Sequence, residues 1–141
     1  MSATSSTLVA AKSSTTLHNT AELLGRFLLA SLFLMSGIGK ITAYGATAGY
    51  MASQGVPGIL LPLVLLIEVG GALAIIAGWR TRVVSLLLAG FTLLAALLFH
   101  NNFADQMQMI MFLKNVSITG AFLMLAANGA GRFSLDARAA K

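Results

Sequence analysis

The chain contains no cysteine. Disulfides, thiolate metal sites, c-type haem attachment and cysteine redox chemistry are therefore excluded within it. Charge is scarce as well. Only 9% of the 141 residues are charged, against roughly 25% in an ordinary soluble domain. So few charges cannot cover a water-facing surface, which argues against a soluble enzyme, a nucleic-acid binder and a disordered tail. A Walker loop and a dinucleotide fingerprint are both missing. Histidine is limited to His18 and His100. Only His100 borders a long apolar run, so bis-histidine haem ligation within the bundle of one chain is excluded, while a haem bridging two subunits stays open. Period-two alternation is absent too, and four apolar runs are too few to close a β-barrel.

What the chain does have is apolar length. Hydrophobic residues make up 57% and the mean hydropathy is +0.87. The length is that of one domain. The net charge of +5 and the pI near 10.3 would suit a nucleic-acid partner if the bases formed a patch. They punctuate apolar runs instead, so the expected partner is the lipid bilayer and no nucleic acid. Apolar runs cover about 21–41, 57–78, 83–99 and 107–127. Each approaches the ~20 residues needed to cross a hydrocarbon core. Backbone groups in lipid must bond within their own segment, so the runs are helices. The expected fold is an all-α, integral membrane four-helix bundle. Residues 1–20 read as a mobile Ser/Thr-rich tail, 21–136 as the four-helix domain and 137–141 as a basic end. Leu8–Val9–Ala10–Ala11 is too short for a signal-peptide core, and Lys12 follows it instead of preceding it, so the tail is expected to be retained.

The bases set the expected orientation. Lys12, Arg26, Arg80, Arg82, Arg132, Arg138 and Lys141 fall on one side, Lys40 on the other, and Lys114 within the fourth helix. The positive-inside rule then places both termini in the cytoplasm. Trp79 beside the arginines suits an interfacial anchor. The opposite side carries a loop at about 42–56, readable as a lid, a docking segment or a plain connector.

Ionisable residues inside a membrane are costly and are functional candidates by default. Glu68 lies eleven residues from both Pro57 and Trp79, hence about 16 Å from either end, at the midplane. Lys114 lies about 10 Å deep by the same rise, with Asn115 beside it. The expectation from depth is a buried Glu68–Lys114 pair. Lys40 and His100 fall at the outer ends of the first and third helices, with Ser36 one turn before Lys40. Together with Tyr44 and Asp105 they suggest an outward vestibule above Glu68 and Lys114. The same charges have an architectural reading: fixing helix register, snorkelling in the case of Lys40, and helix capping in the case of His100. Arg26 reads as a headgroup anchor. Gly70–Gly71–Ala72 and Ser36–Gly37 permit close helix packing, and Pro62 suggests a kink in the second helix. Met107, Met109 and Met111 read as packing, and no metal site is assigned.

Ser36–Gly37–Ile38–Gly39–Lys40 resembles the SGxxK signature of the bacterial DoxX family. Leu66–Ile67–Glu68–Val69–Gly70–Gly71, Gly78–Trp79–Arg80–Thr81–Arg82, Phe99–His100, Phe112–Leu113–Lys114–Asn115 and the closing run from Gly129 to Asp136 are similar to its later motifs. The resemblance implies a four-helix, multi-pass protein of the bacterial inner membrane. It also implies a role as an accessory subunit of a quinone-linked oxidoreductase system. Glu68, Lys114, Asn115, Lys40 and His100 would then bind a quinone or relay its protons beside a redox partner protein. No self-contained catalytic motif is present, so any catalysis would be shared. Two other functions fit the residues: a small proton-coupled transporter, for which a homo-oligomer is expected, and a structural or stress-related membrane interaction protein.

Overall fold

A computed structural model describes residues 3–141, with side chains from residue 15 on. Among the described residues the architecture is helical throughout, and four segments are long and apolar enough to cross a membrane: Thr15–Thr42, Gly58–Ala77, Thr81–Phe99 and Gln106–Asn128. The first lies in α1, Ala3–Thr42. It begins upstream of the start expected at Ala21, because no glycine or proline precedes Gly25 to stop a helix. The stretch read as a tail is thus helical from Ala3, while Met1, Ser2 and the side chains before Thr15 lie outside the described residues. Beyond Thr42 the expected loop is largely a short helix, α2, Tyr44–Ser53.

The second span is composite. A 3-10 turn over Gly58–Leu60 leads into α3, Leu61–Leu65. A π-helical turn, Leu66–Gly70, follows, and α4, Gly71–Ala77, completes the span. Pro62 does not break the helix interior: it occupies the first turn of α3, where its missing N–H is no loss. The irregularity falls one turn later, around Glu68. The third and fourth spans are α5, Thr81–Phe99, and α6, Gln106–Asn128. A five-residue helix, α7, Leu135–Ala139, closes the chain.

α1 packs on α4 and the π turn, α4 on α5, and α5 on α6. Both described chain ends and the Trp79–Arg80 turn share one end of the bundle, here the tail end. α2 and the 100–105 connection share the other, the loop end. The dry core sits in the tail half. Ala30, Phe33, Ala72, Ile75, Leu88, Ala89 and Phe122 are buried together there. Phe33 and Phe122 meet edge-to-face at 5.3 Å, joining α1 to α6. Outward-facing leucines and methionines are exposed along every span, as expected of helices whose solvent is lipid.

Arg26 departs from the anchoring role expected of it. It is 2% exposed. Its guanidinium donates to the carbonyls of Ile75 (3.2 Å) and Ile76 (3.4 Å) in the last turn of α4, and to the carbonyl of Phe133. It therefore caps a helix C-terminus, where a cation is favoured, and ties the closing run to the bundle. Gly78, at φ +67°, ends α4: Trp79 N–H reaches the Ala74 carbonyl (2.9 Å) and Gly78 N–H the Ile75 carbonyl (3.1 Å), a Schellman closure. A Cβ there would collide with Arg26 and Ser134. Asp136 then accepts the amides of Arg80 (2.7 Å) and Thr81 (2.8 Å), capping α5 from across the molecule.

Candidate intramembrane site

Above the core, in the loop half, lies a cavity of about 520 Å³. Its walls are mostly apolar, from all four spans and α2. Lys40, Glu68, His100, Lys114 and Asn115 all line it, and Ser36 joins them. The five candidates from the sequence thus converge on one space.

Their pairing differs from the depth-based expectation. Glu68 pairs with Lys40, not Lys114. Lys40 Nζ lies 2.9 Å from each Glu68 oxygen and donates a third bond to Ser36 Oγ at 2.6 Å. Ser36 Oγ in turn donates to Glu68 Oε1 at 3.4 Å. The physical reason is side-chain direction. Side chains on a helix lean toward its N-terminus. α1 runs toward the loop end, so Lys40 leans back into the membrane over Ser36. The second span runs the other way, so Glu68 leans toward the loop end and the two meet. Lys114, on a helix parallel to the second span, leans away from Glu68.

All three Lys40 protons are used. Glu68 is 5% exposed, and the Lys40 side chain retains 27%. Gly37 makes the approach of α1 to the π turn feasible: a Cβ there would stand 2.5 Å from Val69 Cγ2. π turns place an extra residue in the helix and recur at functional sites. Here the turn carries the buried carboxylate of Glu68, at the boundary between core and cavity.

His100 Nδ1 lies 2.9 Å from Gln108 Oε1. With an amide oxygen as acceptor, Nδ1 carries the proton and Nε2 is left as an acceptor. Lys114 lines the cavity without a hydrogen bond or ion pair among the described residues, as does the Asn115 side chain. Of the remaining vestibule residues, Tyr44 is 44% exposed and does not line the cavity. Asp105 caps α6, accepting from Met107 N–H at 2.9 Å. The sequence reading missed α2 as cavity wall. Thr47, Tyr50 and Met51 face the space from it, and Tyr50 stacks on Phe99 with centroids 5.8 Å apart. Thr47 and Tyr50 stand one turn apart, a helical spacing that was the available signal, obscured by Gly45 and Gly49.

No group of three or more metal-ligating side chains occurs among the described residues. The cavity's polar set is of another kind: an ion pair at the floor, an amine and an amide unengaged on one wall, and an imidazole at the rim.

Comparison with known proteins places this arrangement. The DoxX family model matches residues 21–101, more than half of the chain. The inner membrane protein YqjF of Escherichia coli is 51% identical over 120 residues, covering 85% of this chain and 92% of its own length. The inner membrane protein YphA of the same organism is 37% identical over 123 residues, covering 82% and 88%. No solved structure matches. With four apolar spans and these relatives, the chain is a multi-pass inner-membrane protein, and it belongs to the DoxX family.

Proposed function

We propose that the chain is an accessory membrane subunit that binds a quinone head in the loop-half cavity and serves a partner oxidoreductase. One observation carries this reading: Ser36, Lys40, Glu68, His100, Lys114 and Asn115 converge on a single, mostly apolar cavity among the four spans. Its volume falls within the roughly 300–1,000 Å³ typical of small-molecule sites. A quinone is apolar apart from two carbonyl oxygens, so it needs a lipid-like pocket with a few donors. Lys114 Nζ and Asn115 Nδ2 are unengaged donors on α6, and the Lys40–Ser36–Glu68 group holds exchangeable protons at the floor. Tyr50, Phe91 and Phe99 supply aromatic surface. Bound there, a quinone supplies reversible two-electron, two-proton chemistry.

The residues divide the work. Lys114 and Asn115 orient a ring oxygen by donation. Lys40 donates to Glu68 across 2.9 Å at the floor of the cavity, within reach of a bound ring. His100 Nε2 offers an acceptor toward the loop end. A buried ion pair contributes little net stability, since an apolar replacement is often neutral or better, so a role in ligand or proton handling accounts for it more directly than architecture does. With no cysteine in the chain and His100 the histidine at the cavity, electron transfer is assigned to the partner. Proton-coupled permeation fits less well. Ala72, Ile75, Leu88 and Phe122, all at 0% exposure, pack the tail half below the cavity.

Lipid extraction and mass spectrometry of the purified protein test the reading. Ubiquinone or menaquinone should co-purify with wild type and be lost from Glu68→Gln/Lys114→Met. Absence of quinone from both samples would turn attention to proton and solute flux in liposomes.

A further inference from the structure

A second cavity, of about 450 Å³, lies at the tail end. We propose that it holds the phosphate headgroup of an anionic membrane lipid. Arg132, Arg138 and Lys141 line it, together with Ala77, Phe133 and Leu135. The three cations have no carboxylate partner and no side-chain hydrogen bond among the described residues. The acids of the described residues have other partners. Glu68 holds Lys40 and Asp105 caps α6. Asp136 takes the Arg80 and Thr81 amides, and Glu22 faces His18. Three unpaired cations therefore face the cavity among the described residues, while the carboxylates at this end, Glu22 beside Gly131 and Asp136 near Arg26, are engaged with other groups.

The chemistry of the lining selects the ligand. Two guanidinium groups and an ammonium suit a phosphate, whose oxygens accept bidentate donation. Position and apolar edge select the source. Ala77 ends the second span, so the cavity opens at the membrane boundary. Phe133 is 51% and Leu135 44% exposed beside it, a surface that acyl chains would cover and a soluble phosphate would not. Trp79, 53% exposed nearby, belongs to the side chains that sit at headgroup level. Basic pockets at the ends of spans are the expected seats of anionic headgroups. The proposal stands independently of the quinone reading, since it uses neither the loop-half cavity nor its residues.

Native mass spectrometry of the full chain released from nanodiscs tests it. The nanodiscs contain phosphatidylethanolamine with phosphatidylglycerol as the minor lipid. Wild type should retain phosphatidylglycerol over phosphatidylethanolamine. Arg132→Gln/Arg138→Gln should lose that preference by roughly thirtyfold, the scale expected for two bases at an anionic surface. Both side chains are exposed, so the fold should survive. Arg80→Gln/Arg82→Gln removes the same charge at the same end but outside the cavity, and should keep the preference. An equal loss in that control, or equal retention of both lipids by wild type, overturns the site. Displacement of the lipid by inorganic phosphate alone assigns the cavity to a soluble anion and overturns the lipid assignment.

Discussion

Lys40 and Glu68 carry the site at the scale of single residues. Breaking a buried pair costs about 3–5 kcal/mol, and the partial exposure of Lys40 (27%) puts the expected loss toward the lower figure. Glu68→Gln should therefore lower the thermal midpoint in detergent, Lys40→Met should do the same, and the double variant should recover most of the loss. Lys114→Met, with no partner to strand, should shift stability by less than about 0.5 kcal/mol. Equal effects of Lys40→Met and Lys114→Met would contradict the pairing. The candidate residues were legible in the sequence because charges in apolar runs stand out. The pairing was not. Depth along the normal put Lys114 nearest Glu68, but the lean of each side chain toward its helix N-terminus decides which amine arrives.

Elements are joined by caps and close approaches that no local pattern displays. Hydropathy alone located the four spans to within a few residues, apart from the upstream extension of α1. The π turn at Leu66–Gly70 has no comparable signature, and the glycines of the 42–56 stretch hid α2. Arg26 and Asp136 work across 50 or more residues of sequence, beyond the reach of periodicity. Gly37→Ala should push α1 from the π turn and weaken the Lys40–Glu68 contact, read as a lower midpoint together with weaker ligand retention. Asp136→Ala removes the trans cap of α5 and should cost about 1 kcal/mol. Burial pushes the Asp136 carboxyl up, but the Thr81 and Arg80 hydrogen bonds and the Arg26 charge outweigh it and hold it below the usual carboxylate range. A depressed carboxylate stabilises the fold above the unfolded value, about 3.9 for Asp, and that contribution disappears as pH falls through the lower folded value. Denaturation midpoints of wild type and Asp136→Asn should accordingly differ most above about pH 4 and converge in stronger acid. A constant difference across that window would show that Asp136 stabilises by packing alone.

On the scale of the whole molecule, a packed tail half supports a loop half that holds the cavity, and α2 forms part of the cavity wall. From the distribution of bases we propose that both termini face the cytoplasm, and the absence of cysteine makes the orientation directly measurable. Ser53→Cys and Lys141→Cys, each the single thiol of its variant, should react with a membrane-impermeant maleimide from opposite sides, Lys141→Cys only from the cytoplasm. Labelling of Lys141→Cys from outside intact cells would invert the topology. Photolabelling with a short-chain azidoquinone followed by peptide mapping asks whether the cavity takes a ligand. Label is expected on α2, on the loop-end half of α5 and around Lys114–Asn115, competed by unlabelled quinone and lost in Glu68→Gln/Lys114→Met. Label spread over the lipid-facing leucines and methionines of α6, unaffected by competitor, would contradict it.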